Sequence, residues 1–234
     1  MDVFFYKDIA NGINLLPKDE SHHITHVMRR HVGDVVNVAN GCGELYEARI
    51  ISVGTICTID AKQVQKYVND KKFRLHLAVA PTKMMERYEW MVDKCVEIGV
   101  DEITPILCQH SERKIIKVER LNNIAIAAMK QSKNMFLPQI NEMLDFDDFV
   151  KNNEDDAKFM AYCDNGNNHL FNNIDTTTKK ITVLIGPEGD FSNEEVDLAI
   201  AHGFEIISLG HNILRVETAA VAVAEIVAIK NFIS

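Results

Sequence analysis

Four polar residues that could do chemistry stand close together near the end of the chain. His211, Arg215, Glu217 and Thr218 fall within eight residues and lead into the apolar run "AAVAVAEIVAI". A guanidinium can stabilise an anion, a carboxylate can accept a proton, and a hydroxyl can orient a substrate. The apolar run predicts a helix buried in a core or an interface, because it is apolar on nearly every side. The segment is therefore the first candidate wall of a functional site.

A second candidate is the turn Gly186–Gly189 (GPEG), which follows the apolar run "ITVLI". Two glycines beside a rigid proline let bare backbone approach a ligand, and the N-terminus of a helix follows. Ser192 and Glu195 have the spacing of a capping box, so we expect them to have the local role of starting that helix. The turn alone is a weak sign of a ligand, since many strand-to-helix turns look similar.

Histidines and arginines concentrate in the segment "SHHITHVMRRHVG", which predicts a helix with Ser21 as its cap and Gly33 as its end. His22 and His26 share one face and could bind a metal, but no cysteine or carboxylate at matching spacing completes a zinc set. Contact with phosphates is the favoured interpretation, and a simply solvated helix is the alternative. The candidate phosphate-binding residues are His22, His23, Arg29 and Arg30, together with Lys83 just beyond a predicted strand.

The composition is that of a globular protein with ample apolar material for a core. The 234 residues are 47% hydrophobic with a mean hydropathy of -0.08, which suits one large domain or two unequal ones. The net charge of -9 argues against a simple nucleic-acid binder without excluding one, because binding depends on where the cations lie. We see neither a secretory signal nor an apolar run long enough to span a membrane. Composition alone favours a cytoplasmic enzyme with a small substrate.

The cysteines and the absent motifs narrow the class of enzyme. No two cysteines form a CxxC pair, so we expect reduced thiols in a cytoplasmic protein. The segment "GCGELYE" lacks the third glycine of a dinucleotide fingerprint, and no P-loop, HExxH or GxSxG motif occurs. These absences argue against a kinase, a metalloprotease and an ordinary serine hydrolase. The cysteines are Cys42, Cys57, Cys95, Cys108 and Cys163.

Two regions of the chain differ in their patterns. Residues 1–70 show short alternating strands, which predict a β-rich module, and the charged segment Lys66–Phe73 predicts a linker. From Arg74 onward strands and helices alternate, which predicts an α/β domain with a mostly parallel sheet and helices on both faces. Ligands of such sheets bind beyond the carboxyl ends of the strands. Three predicted strand ends carry unusual residues, at 162–167, 186–192 and 210–218.

Taken together and in order, these pieces resemble one family. The chain is similar to the RsmE family, the bacterial 16S ribosomal RNA uridine N3-methyltransferases, in "HHITHVMRRHVGDVVNVANGCG", "KCVEIGVDEITPI", "KQS", "LIGPEGDFSNEE" and "SLGHNILRVETAAVAV". The resemblance covers nearly the whole chain. Its most specific part is GPEG-x-F followed by LG-x-x-ILR-x-ETA.

The resemblance implies a PUA-like, RNA-binding β-barrel over residues 1–70 and a SPOUT-type methyltransferase domain over 71–234, whose C-terminal segment forms a trefoil knot. It also implies a cytoplasmic homodimer that binds S-adenosylmethionine and acts on 16S rRNA of the small ribosomal subunit. Arg215, Glu217 and Thr218 would stand at the catalytic end, and the basic residues named above would contact the RNA. The cofactor would be held by Gly186, Glu188, Gly189, Leu209, Gly210, Ile213 and Leu214.

Three places depart from the family pattern. The family has roughly EQSxR where this chain has "KQSKN" at 130–134, GPEGG where Asp190 closes the turn here, and threonine where this chain has Val216. Lys130 and Lys133 are candidates to replace a lost cation. The departures leave open a non-catalytic RNA-binding or ribosome-assembly factor that kept the fold. A small-molecule enzyme is a third class, which would leave the N-terminal module unexplained.

The implied reaction needs no metal, because the sulfonium of S-adenosylmethionine already makes its methyl group electrophilic. The difficulty lies in the nucleophile, since uridine N3 carries a proton and is weakly basic at neutral pH. The enzyme must remove that proton and stabilise the charge that spreads onto two carbonyl oxygens. Arg215 suits the second task. Glu217 could be the base or could orient Arg215 and Thr218, and we favour orientation.

Overall fold

The computed structural model describes residues 3–162, 169–174 and 178–233 of the chain. Cys163 and most of the candidate strand end at 162–167 lie outside these residues. The four described cysteines are free thiols, of which three are buried and one is exposed. Among the helices that the structure describes, none has the length and apolar character needed to cross a membrane.

The chain divides into two compact units. The first unit comprises Met1–Asp70 and Ile126–Leu137, and the second comprises Lys71–Ala125 and Pro138–Ser234. The division after Asp70 falls inside the segment that the sequence predicts as a linker. Segment 126–137 belongs to the first unit, whereas the sequence expectation placed all of residues 71–234 in the second domain.

The first unit is built on a five-stranded sheet. Its strands are β1 (Val3–Phe5), β2 (Gly12–Leu15), β3 (Val35–Ala39), β4 (Glu44–Ser52) and β5 (Thr58–Lys66). They pair in the order β1-β3-β4-β5-β2, with β1 parallel to β3 and the other pairs antiparallel. Alternate side chains face opposite sides of a strand, so every second residue can point inward. The buried core on that side includes Phe4, Leu16, Ile24, Ile50 and Ile59.

One helix interrupts these strands, and its limits differ from the predicted ones. The helix α1 (Lys18–His22) continues as a π-helical turn over His23–Val27. Ser21 is therefore inside the helix and is not its cap. Its buried hydroxyl instead accepts the backbone N–H of Cys57 at 2.9 Å, which satisfies a donor that water cannot reach. The helix also ends before Gly33, so this glycine does not close it.

Segment 126–137 is tied to the first unit by packing and by backbone hydrogen bonds. Gly43 N–H donates to the carbonyl of Met135 at 2.8 Å, and Leu137 N–H donates to the carbonyl of Gly41 at 2.8 Å. These bonds join positions far apart in the chain, which local periodicity cannot reveal. The buried neighbours of Met135 are Val3, Ala39 and Leu45.

The second unit is built on a seven-stranded parallel sheet. Its strands are β6 (Arg74–Val79), β7 (Glu102–Leu107), β8 (Gln139–Ile140), β9 (Leu144–Asp145), β10 (Ala157–Ala161), β11 (Lys180–Ile185) and β12 (Glu205–Ile207). They follow the order β12-β10-β11-β6-β7-β8, and β9 also pairs with β7. Every pair is parallel, so the predicted sheet is confirmed. The central strands β6 and β11 are buried after their first residue, which explains their continuous apolar sequences.

Helices connect these strands. Those described are α2 (Met85–Ile98), α3 (Val118–Ser132), α4 (Phe146–Asn152), α5 (Leu170–Asn173), α6 (Asn193–Ala201) and α7 (Val216–Ile233). The amphipathic pattern predicted for α2 is confirmed, because Tyr88, Met91 and Cys95 are buried and Gly99, with a φ of 105°, ends the helix. The apolar helix α7 packs against α2, β6 and β11.

Candidate active site

A cavity of about 610 Å³ opens in the second unit, beyond the carboxyl ends of β10, β11 and β12. This is where the alternation of strands and helices predicts a ligand. Its walls are the end of β10, His169, the turn after β11, the connection from β12 to α7, the first turn of α7 and one residue of α2. Its volume lies within the range of roughly 300–1,000 Å³ that is typical of small-molecule sites.

Most of the residues predicted for the cofactor and the reaction meet in this cavity. Arg215 and Glu217 line it, whereas Gly189 and Thr218 are not among its described lining residues. Thr218 is exposed on α7. The part that each residue plays stays a prediction. The cofactor candidates in the wall are Gly186, Glu188, Leu209, Gly210, Ile213 and Leu214.

The two glycines of the turn after β11 are each packed against a neighbouring ring or side chain. A Cβ added to Gly186 would lie 3.0 Å from the ring of Phe191, and one added to Gly189 would lie 3.0 Å from Cβ of His110. Both separations are shorter than ordinary van der Waals contact. The protein's own packing is therefore enough to explain why both positions are glycine. The capping box predicted from Ser192 is present at the start of α6, and that prediction is confirmed.

Asp190, where the family pattern has glycine, has a φ of 61°. This left-handed region favours glycine, and aspartate tolerates it because its short side chain can hydrogen-bond locally. Oδ1 of Asp190 accepts the backbone N–H of Phe191 at 2.9 Å, and the Asp190 N–H donates to the carbonyl of Pro187 at 3.0 Å. The aspartate thus keeps a backbone shape that glycine adopts freely.

Glu188 and Lys83, predicted for the cofactor and the RNA respectively, are joined to each other. Oε1 of Glu188 accepts the backbone N–H of Lys83 at 2.9 Å. Nζ of Lys83 pairs with Oε2 of Glu112 at 2.9 Å, and this hydrogen-bonded carboxylate raises the pKa of Lys83. Arg113 donates from Nη2 to the carbonyl of Lys83 at 2.8 Å. Hydrogen bonds and an ion pair therefore join the loops that follow β6, β7 and β11 at this end of the sheet.

The connection from β12 to α7 forms an exposed part of the cavity wall. Oγ of Ser208 donates to the carbonyl of Gly210 at 3.0 Å and accepts the Gly210 N–H at 3.2 Å. Gly210 has a φ of 135°, and a Cβ there would meet nothing within 4 Å. Its glycine is therefore explained by backbone conformation and leaves open space beside it. Ile213 is 86% exposed, so its apolar surface is available to a ligand.

Arg87 lines the cavity and was not predicted from the sequence. Its Nε lies 3.8 Å from Oε1 of Glu217, with the two side chains 39% and 11% exposed. Arg87 is in the first turn of α2, where the positive end of the helix dipole disfavours a cation. A basic residue in such a turn, in the first helix after a buried strand, is the sequence signal that could have revealed it.

The RNA-binding candidates of the first unit lie along α1 and the residues that follow it. The rings of His22 and His26 stack with their centroids 4.3 Å apart. His22 and Arg29 are exposed, whereas His23 and Arg30 are partly buried. Within the described part of the chain, no group of three or more histidines, cysteines and carboxylates could hold a metal ion. The exposed members of this set can reach a ligand in solution.

The lysines of "KQSKN" differ in their availability. Nζ of Lys130 lies 2.6 Å from Oε1 of Glu20, and the two side chains are only 18% and 12% exposed. The same Nζ lies 5.6 Å from the ring centroid of Phe4. Lys130 is therefore engaged within the first unit. Lys133, which follows the end of α3 with a φ of 58°, is exposed, and its role as a replacement cation stays a prediction.

Comparison with known protein families defines the class of this molecule. A family model described as an RNA methyltransferase domain matches residues 69–228, which is more than half of the chain. A second model, described as an RNA methyltransferase PUA domain, matches residues 16–56. The parallel sheet and its cavity are therefore those of an RNA methyltransferase, and the predicted α/β fold with a PUA-like N-terminal domain is confirmed.

Individual relatives narrow the class to one family. Ribosomal RNA small subunit methyltransferase E of Synechocystis is 30% identical over 94% of this chain and 74% of its own length. A structure described as a probable rRNA-methyltransferase from Porphyromonas gingivalis superimposes with a TM-score of 0.90 at 34% identity, covering 100% of this chain and 99% of that one. A Legionella pneumophila protein solved with the bound cofactor SAM gives 0.89 at 26% identity, covering 97% of both chains. The chain belongs to the RsmE family of RNA methyltransferases.

Proposed function

We propose that this protein transfers a methyl group from S-adenosylmethionine to N3 of a uridine in 16S rRNA of the small ribosomal subunit. The observation that carries the proposal is the cavity in which the GPEG turn and the connection from β12 to α7 bring Arg215 and Glu217 together with the cofactor candidates. Relatives named ribosomal RNA small subunit methyltransferase E support the substrate class. The Legionella relative supports the cofactor.

The residues of the cavity fit S-adenosylmethionine. Leu209, Ile213 and Leu214 offer apolar surface, and the backbone around Gly210 offers polar groups and open space for a flat, hydrogen-bonding ring. Gly186 and Glu188 would border the same ligand at the turn after β11. When bound, the cofactor supplies a methyl group that its sulfonium makes electrophilic.

The protein's own residues prepare N3 of the uridine to attack the methyl group. Overall, the N3–H bond breaks, a bond forms between N3 and the methyl carbon, and the bond between that carbon and sulfur breaks with its electron pair left on sulfur. As the N3 proton departs, negative charge spreads onto the two neighbouring carbonyl oxygens. The guanidinium of Arg215, exposed at the cavity, stabilises this charge.

The RNA contacts of this proposal come from His22, His23, Arg29 and Arg30, with Lys83 in the second unit. Exposure of His22 and Arg29 supports this placement, because phosphate contacts need accessible cations. We expect the double variant Arg29→Ala/Arg30→Ala to bind small ribosomal subunits more weakly. The slope of log affinity against log salt should fall by about 1 to 2, since each lost phosphate contact removes nearly one released counterion.

The matched control for this salt dependence removes an exposed cation from α4. Lys151→Ala breaks only an i, i+4 pair with Asp147 on the surface, so its salt slope should equal that of the wild type. An unchanged slope in Arg29→Ala/Arg30→Ala would reject the placement of the RNA contacts on this segment.

The architecture implied by the resemblance is part of the same proposal. The resemblance implies a PUA-like RNA-binding domain over residues 1–70 and a SPOUT domain with a C-terminal trefoil knot over 71–234, in a cytoplasmic homodimer, whereas the structure groups segment 126–137 with the first unit. The PUA match at 16–56 supports the first assignment, and family membership supports the second. Exposed apolar residues at the end of α7 support a subunit interface, because water-exposed apolar clusters commonly mark such surfaces. These are Ile229, Phe232 and Ile233, which are 43%, 90% and 62% exposed.

The experiment for this function gives purified protein labelled S-adenosylmethionine and small ribosomal subunits from a strain that lacks the modification. We expect label in 16S rRNA, with free 16S rRNA as a second arm that shows whether assembled subunits are needed. Binding of subunits without any transfer would favour a non-catalytic RNA-binding or assembly factor. Transfer to a small molecule in place of RNA would favour the third class.

A further inference from the structure

Arg87 and Glu217 form an ion pair in the wall of the cavity. The closest approach is 3.8 Å, between Nε of Arg87 and Oε1 of Glu217. Among the residues that the structure describes, Glu217 has no second ion-pair partner, and neither Arg215 nor Thr218 contacts its carboxylate by a hydrogen bond. Likewise, no described residue accepts a hydrogen bond from Nη1 or Nη2 of Arg87, although this side chain lines the cavity.

We propose that Arg87 is a second anion-stabilising guanidinium of the active site and that Glu217 is the positioning residue that holds it. The inference rests on the proposed function. A guanidinium carries five N–H donors in a planar fork, so an Nε edge turned to Glu217 leaves the Nη groups for the cavity. A uridine losing its N3 proton places charge on two oxygens, one on each side of N3. Arg215 and Arg87 together provide one guanidinium for each oxygen.

This arrangement also gives Glu217 a different task from that of a base. Its side chain is 11% exposed and its charged neighbour is Arg87. Taking up the N3 proton would remove the charge that holds Arg87 in place, so the carboxylate serves better as an anchor. The N3 proton then leaves to water. The balance of the methyl transfer is unchanged, with the N3–C bond formed and the C–S bond broken.

A purely structural ion pair between α2 and α7 would look the same in a static structure, so the test needs readouts that a structural role would not move. The variants are Arg87→Ala and Arg87→Lys, compared for kcat, KM for the RNA substrate, cofactor Kd and the pH dependence of kcat. The control is Arg120→Ala on α3. Arg120 pairs with Glu89 of α2, the helix that carries Arg87, but Arg120 does not line the cavity.

For Arg87→Ala we expect kcat to fall about 100-fold, as for the loss of one preorganised donor at a developing anion. Cofactor Kd should stay within about 3-fold, because the interaction is made only as charge develops. The rate of this variant should keep rising with pH where the wild type has levelled off, since N3 must then ionise without Arg87. Arg87→Lys should recover part of kcat, and Arg120→Ala should match the wild type.

A double variant separates the two roles of Glu217. If Glu217 only positions Arg87, Glu217→Gln combined with Arg87→Ala should be no slower than Arg87→Ala alone, because both changes disable one unit. A double variant much slower than either single one would mean that Glu217 acts independently, and would overturn the positioning role.

Three further outcomes are decisive. Suppose that the wild type transfers the methyl group. An Arg87→Ala variant with an unchanged kcat then overturns this inference alone. So does an Arg87→Ala variant that loses the same fraction of its rate at every pH and has a lower thermal stability. A wild-type protein that transfers no methyl group to any RNA overturns the proposed function, and this inference with it.

Discussion

Both ends of the seven-stranded sheet carry polar residues. At the amino end these side chains bond to one another, whereas at the carboxyl end some of them face the cavity. At the amino end, His76 has three polar partners: its Nε2 is 2.7 Å from Oγ1 of Thr104 and 3.8 Å from Oε1 of Glu102, and its Nδ1 is 3.6 Å from Oδ2 of Asp155. Asn141 donates from Nδ2 to both Glu102 and Thr104 at 2.7 Å. Each of these polar groups is satisfied by another side chain of the protein.

At the carboxyl end, the loops are held together around Lys83, but several groups that line the cavity are available to a ligand. Arg215 is exposed, the Nη groups of Arg87 have no acceptor among the described residues, and Ile213 is 86% exposed. Buried polar groups need hydrogen-bond partners, so a closed network stabilises the fold. A set of groups around a cavity without partners is instead ready for a ligand. Changes at the carboxyl end should therefore alter activity, and changes at the amino end should alter stability.

The largest expected effect is at the carboxyl end. Arg215→Ala should slow methyl transfer by about 100- to 1,000-fold, because it removes a donor aimed at developing charge. The free energy of unfolding should change by no more than about 0.5 kcal/mol, since Arg215 is exposed. Calorimetry should show nearly unaltered cofactor affinity. Loss of that affinity would move Arg215 into a binding or structural role.

The second effect is at the amino end. Asp155→Ala should lower the free energy of unfolding by about 2–4 kcal/mol in a denaturant titration, because it removes the carboxylate that Nδ1 of His76 and the hydroxyl of Thr182 contact. The rate of methyl transfer should stay close to that of the wild type. Asp147→Ala, which breaks only an exposed pair on α4, should cost no more than about 0.5 kcal/mol. If both variants cost the same, the network does not stabilise the fold.

The same aspartate predicts how stability depends on pH. The hydrogen bond from His76 lowers the pKa of Asp155 well below its usual range, and Thr182 and Lys180 act in the same direction. A carboxyl whose pKa is lower in the folded state contributes stability that is fully present above its unfolded pKa of about 3.9. That contribution is lost as the pH falls toward the folded value. Between pH 5 and 2 (rough limits of this window), the wild type should lose more stability than Asp155→Asn.

The smallest effect concerns the turn after β11, where the backbone conformation of Asp190 shapes the cavity wall. Asp190→Ala should destabilise the protein by about 1–2 kcal/mol, because alanine is strained at a φ of 61° and cannot accept the Phe191 N–H. Asp190→Gly should stay within about 0.5 kcal/mol of the wild type. Thermal unfolding of the two variants side by side checks this, and equal losses would mean that the side chain matters more than the backbone conformation.

Much of the second unit could be predicted from the sequence, because its signals are local. Continuous apolar strands, the amphipathic α2 with Gly99 at its end, and the capping box at Ser192 each need only a few neighbouring residues to be recognised. Because ligands of parallel sheets bind beyond the carboxyl ends of the strands, the sequence also predicts that the segment with Arg215 and Glu217 lines a site. Both residues line the cavity.

The errors and omissions came from contacts between distant positions. Ser21 was expected to cap a helix, but its hydroxyl satisfies Cys57, and only the folded sheet brings these residues together. Segment 126–137 joins the first unit through bonds to Gly41 and Gly43, which no local pattern shows. Arg87 gave one local sign, a cation in the first turn of a helix, but its partner lies at the start of α7.

Methyl transfer to N3 of uridine is tested most directly by identifying the nucleoside that the purified protein makes. Small ribosomal subunits lacking the modification are incubated with labelled S-adenosylmethionine, the 16S rRNA is digested to nucleosides, and these are separated and identified by mass spectrometry. We predict that the label is found in 3-methyluridine from a single position of the RNA. Label in 5-methyluridine, in a ribose-methylated nucleoside or in no nucleoside would contradict the proposed reaction.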